Sequence, residues 1–167
     1  MDPIEKKAIY TKIIKNLSQT FESNENTGPS EIYKVIITEL ATIPYYDWTG
    51  IYLLDYIEQE LNLDYYIGLE TDHVKIPVGK GVCGSAVAER TDKIVQDVRE
   101  EANYLACSVG TRSEIVVLIE DGDKIIGQID IDSNQVGVFD EVDQEYLRII
   151  SQMIIEQVNS LDGGLHR

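Results

Sequence analysis

Two cysteines, Cys83 and Cys107, are the only thiols in the chain. Each lies in a short segment of small residues, residues 81–86 for the first and residues 106–111 for the second. Small residues allow the backbone to bend tightly and a substrate to approach, so the two positions favour thiol chemistry. Cysteine is also a common buried core residue, and that alternative stays open at this point.

The cellular compartment in which we expect the protein limits the roles that a cysteine pair can have. No uninterrupted apolar stretch approaches the length of a membrane span, and the first residues carry no apolar signal region. We therefore expect a cytoplasmic protein, in which a cysteine pair is metal-binding or redox-active rather than a structural disulfide. The only histidines are His73 and His166, and no Cys-x-x-C pattern occurs. No zinc set is recognisable, so we expect neither a metal nor a bound cofactor.

A second candidate for chemistry is the acidic segment at residues 128–132. In a strand, Ile129 and Ile131 point to one face, and Gln128, Asp130 and Asp132 point to the other. Two acids held this close raise the pKa of at least one of them, because ionising both costs Coulomb energy. A strand with one solvated face is the alternative explanation of the same pattern.

The same acids also fit part of a calcium-binding loop. Asp130, Asp132, Asn134 and Glu141 occupy its first, third, fifth and twelfth positions. Gln135 stands where the loop requires glycine, and the preceding segment has the pattern of a strand rather than a helix. We therefore expect no calcium site here.

The net charge and the length of the chain exclude other functional classes and domain arrangements. The chain has 14 basic and 30 acidic residues and a net charge of −16, so nucleic-acid backbones and anionic membranes would be repelled. With 167 residues, 43% of them hydrophobic, it can bury one core, and we expect no separate output domain.

The elements that must position these residues follow from periodicity. Apolar residues at helical spacing predict a first helix over 4–21, followed by a polar linker. We predict the other helices over 29–43, 85–90 and 139–161. The first 28 residues are then an N-terminal helix with its linker, and 29–167 form the domain on which that helix packs. Both terminal helices have an apolar face, which favours a homodimer; packing within one chain is the alternative.

Aromatic and β-branched segments predict strands over 48–55, 64–69, 113–120 and 124–133. Asp121-Gly122-Asp123 joins the last two strands, and Asp-Gly between alternating apolar residues is a strong hairpin signal. The fold class is therefore α/β, with a central, mostly antiparallel sheet flanked by helices and with the N- and C-terminal helices packed together.

Taken in chain order, several short blocks resemble the free methionine-(R)-sulfoxide reductase family, which is built on a GAF domain. The blocks are Trp48-Thr-Gly-Ile-Tyr52, Ile76-Pro-Val-Gly-Lys-Gly-Val-Cys83-Gly-Ser-Ala-Val-Ala, Gln96-Asp97-Val98, Ala106-Cys107, Ser113-Glu114-Ile-Val-Val, Ile126-Gly-Gln-Ile-Asp130-Ile-Asp132-Ser133 and Phe139-Asp-Glu-Val-Asp. Together they span about residues 44–155.

The resemblance implies a GAF fold whose small enclosed pocket reduces the R epimer of free methionine sulfoxide, with electrons from thioredoxin. By position, Cys107 is similar to the family's nucleophile and Cys83 to a resolving thiol. The resemblance further implies carboxylates that protonate the sulfoxide oxygen and bind the substrate amine, and aromatic residues that wall the pocket. The carboxylates are Glu114, Asp130 and Asp132, and the aromatic residues are Trp48 and Tyr52.

This chain departs from the family pattern at three places, one of which is Leu118, where a proline is common. His73 stands where the family usually has a third cysteine, so the resolving step falls on Cys83. Around the nucleophile, the family's Gly-His-Ile-Ala-Cys-Asp is replaced by Asn103-Tyr-Leu-Ala-Cys107-Ser108, so the flanking histidine and acid are absent.

Two other functions are compatible with the same residues. One is a GAF module that binds a small ligand without catalysis. The other is a redox-sensing homodimer that uses the two cysteines as a switch.

Overall fold

The fold, seen in a computed structural model that describes residues 1–23, 28–105 and 109–162, is a six-stranded antiparallel sheet with helices on both faces. The helices are α1 (Pro3–Ser23), α2 (Pro29–Leu40), α3 (Gly81–Glu89) and α4 (Glu141–Asp162), with a 3-10 turn at Val98–Glu100. The strands are β1 (Trp48–Asp55), β2 (Glu60–Ile67), β3 (Lys75–Pro77), β4 (Lys93–Val95), β5 (Ser113–Asp121) and β6 (Lys124–Ser133). The predicted α/β class with an antiparallel sheet is confirmed.

Strand order in the sheet is β3-β2-β1-β6-β5-β4, and every neighbouring pair is antiparallel. The hairpin predicted from Asp-Gly joins β5 to β6, and Asp121 pairs with Lys124 across the turn. The last hairpin therefore lies beside β1, and the central strands of the sheet are β1, β6 and β5. These three strands carry the carboxylate and aromatic residues singled out above.

Each face of the sheet has its own apolar core because side chains alternate along a strand. Ile51, Ile115 and Ile129 point to the face covered by α1, α2 and α4. Val116 and Tyr52 point to the other face, which α3 covers. The terminal helices pack together as predicted, and the Tyr10 ring of α1 stacks on a ring of α4 with centroids 5.1 Å apart.

Several predicted boundaries were wrong. Helix α2 ends at Leu40 rather than 43, because Thr42 and Ile43 donate backbone hydrogen bonds to carbonyls three residues back, in a tightened turn that leads into Pro44. Helix α3 begins at Gly81, four residues earlier than predicted, and Gly81 has a φ of 63° that favours glycine.

Strand β2 begins at Glu60 rather than 64, and β3 and β4 were not predicted. Both missed strands have only three residues, too few for a periodic pattern to emerge. The predicted linker falls largely on residues 24–27, which lie outside the described residues. In the described part of the chain, no helix combines the length and the apolar character needed to cross a membrane.

Candidate active site

Three carboxyl groups meet on the α3 side of the sheet. Asp130 and Asp132 lie two residues apart on β6, so they point to the same face, and Glu114 of β5 pairs directly with Asp132. All three side chains are at most 1% exposed. The alternative of a solvated strand face is therefore wrong, since this face is covered.

Cys83 lies beside this acidic cluster, on the helix that covers the same face of the sheet. It occupies the first turn of α3, where its thiol donates to Glu114 Oε1 at 3.6 Å. The residue is 3% exposed, so it is not displayed on a tight turn, as the sequence suggested, but is held inside the fold. The reason is that the helix begins two residues before Cys83 and turns the side chain toward the sheet.

Burial sets the protonation of the cluster. It raises the pKa of Glu114 well above its ordinary value of 4.5, and the neighbouring charges of Asp130 and Asp132 raise it further. Burial likewise raises the pKa of Asp132, with the charge of Asp130 as the second cause, while a hydrogen bond from Thr111 Oγ1 to Asp132 Oδ2 at 3.4 Å opposes the shift. The cluster can therefore hold a proton at pH values where an exposed carboxyl cannot.

The cluster could also hold a cation. Cys83, Glu114 and Asp130 each offer one ligand atom, and these atoms lie within 4.8 Å of one another. An ammonium group or a metal ion placed among them would offset the repulsion between the acids.

Two aromatic side chains of β1, which the resemblance assigns to the wall of the pocket, lie beside the acids. Trp48 pairs with Asp132 and Tyr52 with Gln128 across the β1–β6 ladder, and the two ring centroids are 6.4 Å apart. Both residues are fully buried. Gly50 between them is required, since a Cβ there would lie 2.5 Å from the Trp48 ring.

Hydrogen bonds to the backbone hold the same rings in place. Trp48 Nε1 donates to the Leu69 carbonyl at 3.1 Å, and the Tyr52 hydroxyl donates to the His73 carbonyl at 2.8 Å. His73, which occupies the position of the family's third cysteine, thus contributes its backbone to the aromatic wall. The two bonds fix the orientation of both rings within the fold.

Cys107, the predicted nucleophile, lies outside the described residues. The segment before it carries a residue that sequence reasoning missed, Asn103. Its Oδ1 accepts from Gly81 N at 2.9 Å, and its Nδ2 donates to Ser85 Oγ at 2.8 Å. A Cβ added to Gly81 would lie 3.1 Å from Leu105. The segment that leads to Cys107 is therefore hydrogen-bonded to the start of the helix that carries Cys83. No pattern in the sequence marked Asn103, because its partners are 18 and 22 residues away.

A model of the GAF domain matches residues 28–158. This chain belongs to the GAF domain family. Among its relatives is the free methionine-R-sulfoxide reductase of Escherichia coli (strain K12), 38% identical over 108 residues. That alignment covers 64% of this chain, and this chain spans less than two thirds of the relative's length, again 64%.

Solved structures of GAF proteins superimpose over more of the chain. The free methionine-R-sulfoxide reductase of Neisseria meningitidis, in complex with its substrate, has a TM-score of 0.89 at 29% identity and covers 98% of this chain and 95% of its own. The fRMsr of Staphylococcus aureus in its reduced form has a TM-score of 0.79 at 37% identity and covers 89% of this chain and 94% of its own. The predicted relationship to this oxidoreductase family is therefore confirmed.

Proposed function

We propose that this protein reduces free L-methionine-(R)-sulfoxide to methionine and takes its electrons from an external thiol. One observation carries the proposal: three buried carboxyl groups face the Cys83 thiol on a GAF fold whose relatives include reductases of this kind. The proposed reaction needs neither a metal nor a bound cofactor, because the thiols supply the electrons and the carboxyl groups supply the proton.

The carboxyl cluster supplies the proton that activates the sulfoxide. Sulfoxide sulfur becomes electrophilic when its oxygen is protonated or strongly hydrogen-bonded, which requires an acid that is still protonated near neutral pH. Burial raises the pKa of Glu114 and Asp132 well above the usual carboxyl range, which favours the protonated form of both groups. Asp130 completes the cluster, and at least one of the three groups stays ionised to bind the substrate ammonium.

Cys107 attacks the sulfur of the activated sulfoxide. Attack forms a transient bond between Cys107 Sγ and the substrate sulfur. The oxygen then migrates from the substrate sulfur to Sγ, the S–O bond to the substrate and the transient S–S bond break, and methionine leaves while Cys107 becomes a sulfenic acid. Cys83 then condenses with the sulfenic acid, which forms a disulfide and releases water. A disulfide between the two cysteines is supported by the nearness of the preceding residues: a Cβ added to Gly81, two residues before Cys83, would lie 3.1 Å from Leu105, which precedes Cys107 by two residues in the sequence.

A dithiol protein such as thioredoxin would open the disulfide and return both cysteines to the thiol form. The exchange transfers two electrons and leaves the partner oxidised. We place the reaction in the cytoplasm, where such reductants keep thiols reduced.

Selectivity for the free amino acid follows from the same acids. Free methionine sulfoxide carries an α-ammonium group that a peptide-bound residue lacks. A buried carboxylate that pairs with this group gains a charge-assisted hydrogen bond, whereas a blocked amine would leave the acid buried and unpaired. Trp48 and Tyr52 form an apolar wall for the thioether arm.

A second copy of the chain is the proposed quaternary partner. The joined helices α1 and α4 leave apolar side chains at the surface, with Ile4 80% and Ile149 42% exposed. Between the helices runs a groove that includes Ile14, Phe21 and Met153. Burying this surface against its symmetry mate would remove apolar area from water.

The function is tested by NADPH consumption in a thioredoxin-coupled assay with resolved sulfoxide epimers. We expect turnover with the R epimer of the free amino acid and none with the S epimer. Cys107→Ser should abolish even a single turnover of methionine release. The matched variant Cys83→Ser should release one equivalent of methionine and then stop. Multiple turnover by Cys107→Ser would overturn the catalytic assignment, and absence of turnover in the unmodified protein would leave ligand binding or redox sensing as the function.

A further inference from the structure

Gln128 is a polar residue at a buried position of the kind that apolar side chains usually occupy. It lies two residues before Asp130 on the same face of β6, between Tyr52 of β1 and Leu118 of β5. Its side chain is fully buried. Neither Oε1 nor Nε2 has a hydrogen-bond partner among the described residues.

A buried amide without partners destabilises a fold, because both of its polar atoms give up hydrogen bonds to water. An aliphatic side chain would fill the same space without that penalty. A residue of this kind is therefore best explained by a group that enters the site and satisfies it.

The chemistry of that group follows from what the amide offers. Nε2 is a donor and Oε1 is an acceptor, so the ligand must present an acceptor and a donor close together. A zwitterionic α-amino acid does so with its carboxylate and its ammonium. The neighbouring acids attract the ammonium but repel the carboxylate, which must therefore be bound by an N–H or O–H group.

Two other donors on this face are already in use. Trp48 Nε1 is bound to the Leu69 carbonyl and the Tyr52 hydroxyl to the His73 carbonyl. Gln128 Nε2 is a donor that the described residues leave unsatisfied. It lies two residues from Asp130 on the same face of β6, and a strand advances about 6.6 Å over two residues, so the two side chains are neighbours on that face. Adjacent side chains can thus hold the two charged groups of one amino acid.

We propose that Gln128 binds the α-carboxylate of the substrate through Nε2, while the neighbouring acids bind its ammonium. This assignment rests on the proposed function for the identity of the amino acid. It makes Gln128 a specificity-determining residue that requires a free carboxyl group, just as the acids require a free amine.

Calorimetric binding measurements test the assignment without reference to turnover. The ligands are free methionine sulfoxide and methioninol sulfoxide, in which a hydroxymethyl group replaces the carboxylate. Gln128→Met keeps the length of the side chain and removes both polar atoms. We expect it to weaken binding of methionine sulfoxide about tenfold or more, and to change binding of methioninol sulfoxide less than about twofold. Leu118→Met, directly opposite in the sheet, is the matched control and should change neither.

Thermal unfolding without ligand separates recognition from a structural role. Since Gln128→Met removes two unsatisfied buried atoms, its melting temperature should rise above that of the unmodified protein. A lower melting temperature with unchanged binding would overturn the inference, as would equal losses with both ligands or failure of the unmodified protein to bind methionine sulfoxide. Binding with the expected pattern but no reduction of the sulfoxide would instead sink the proposed function alone.

Discussion

Replacing Asp143 with asparagine should strongly destabilise the domain, because this carboxylate is the centre of a buried network between α1 and α4. Its Oδ2 accepts from Lys6 Nζ at 2.6 Å and from Asp140 N at 2.9 Å. Its Oδ1 accepts from the hydroxyls of Tyr10 at 2.6 Å and Tyr45 at 2.7 Å. Burial raises the pKa of both phenols, so they stay protonated and donate.

The loss of stability expected for Asp143→Asn is large because both members of the ion pair are buried. Asp143 is fully buried and the Lys6 side chain is 3% exposed. Each oxygen of Asp143 accepts from two donors, so an asparagine in either orientation would turn its N–H₂ group toward two other donors. The Lys6 ammonium would also lose its buried counter-charge. Removing one partner of such a pair costs about 3–5 kcal/mol. For a chain of this size, that loss corresponds to a melting temperature lower by roughly 6–20 °C.

Urea and thermal unfolding followed by circular dichroism measure the change. Asp140→Asn is the matched control, because this second partner of Lys6 is 45% exposed and asparagine can still accept from Val142 N. We expect it to cost less than about 1 kcal/mol. Adding Lys6→Met to Asp143→Asn should cost less than the sum of the single changes, since the stranded ammonium is gone. A loss below about 1 kcal/mol for Asp143→Asn, or strict additivity, would refute this reasoning.

Other measurements address the site and the assembly. N-acetyl-methionine sulfoxide should react at least about tenfold more slowly than the free amino acid, since it loses a charge-assisted contact worth roughly 1.5–3 kcal/mol; equal rates would contradict ammonium recognition. Because burial raises the pKa of Glu114 and Asp132, the folded protein holds protons that the unfolded chain releases above pH values near 4.5 and 3.8. The free energy of unfolding should therefore fall as pH rises through the raised pKa values, which urea titrations at a series of pH values measure. For the Asp132→Asn variant, the free energy of unfolding should fall less steeply with pH. Parallel curves for the two proteins would count against a protonated cluster. Light scattering should give a dimeric mass that Ile149→Glu shifts to a monomer, whereas a monomeric mass at every concentration would remove the dimer.

Local patterns in the sequence were sufficient for much of the fold. The alternation at residues 128–132 put Asp130 and Asp132 on one face, because the period of a strand is set by its own backbone. The hairpin at Asp121-Gly122-Asp123 and the two terminal helices likewise depend on neighbouring residues only. The family blocks were enough to name the carboxylates and the aromatic wall. The roles of these residues, like those of Cys107 and Cys83, remain predictions.

Whether a face is solvated or buried was decided only by the tertiary structure. The acids of β6 would be ordinary surface residues if α3 did not cover them, and α3 is about 40 residues away in the sequence. The same packing turned Cys83 inward and left the Gln128 amide without a hydrogen-bond partner in the described part of the chain. It also brought Asn103 to the start of α3. Burial, and the pKa shifts that follow from it, depend on which distant segments meet, and no local period carries that information.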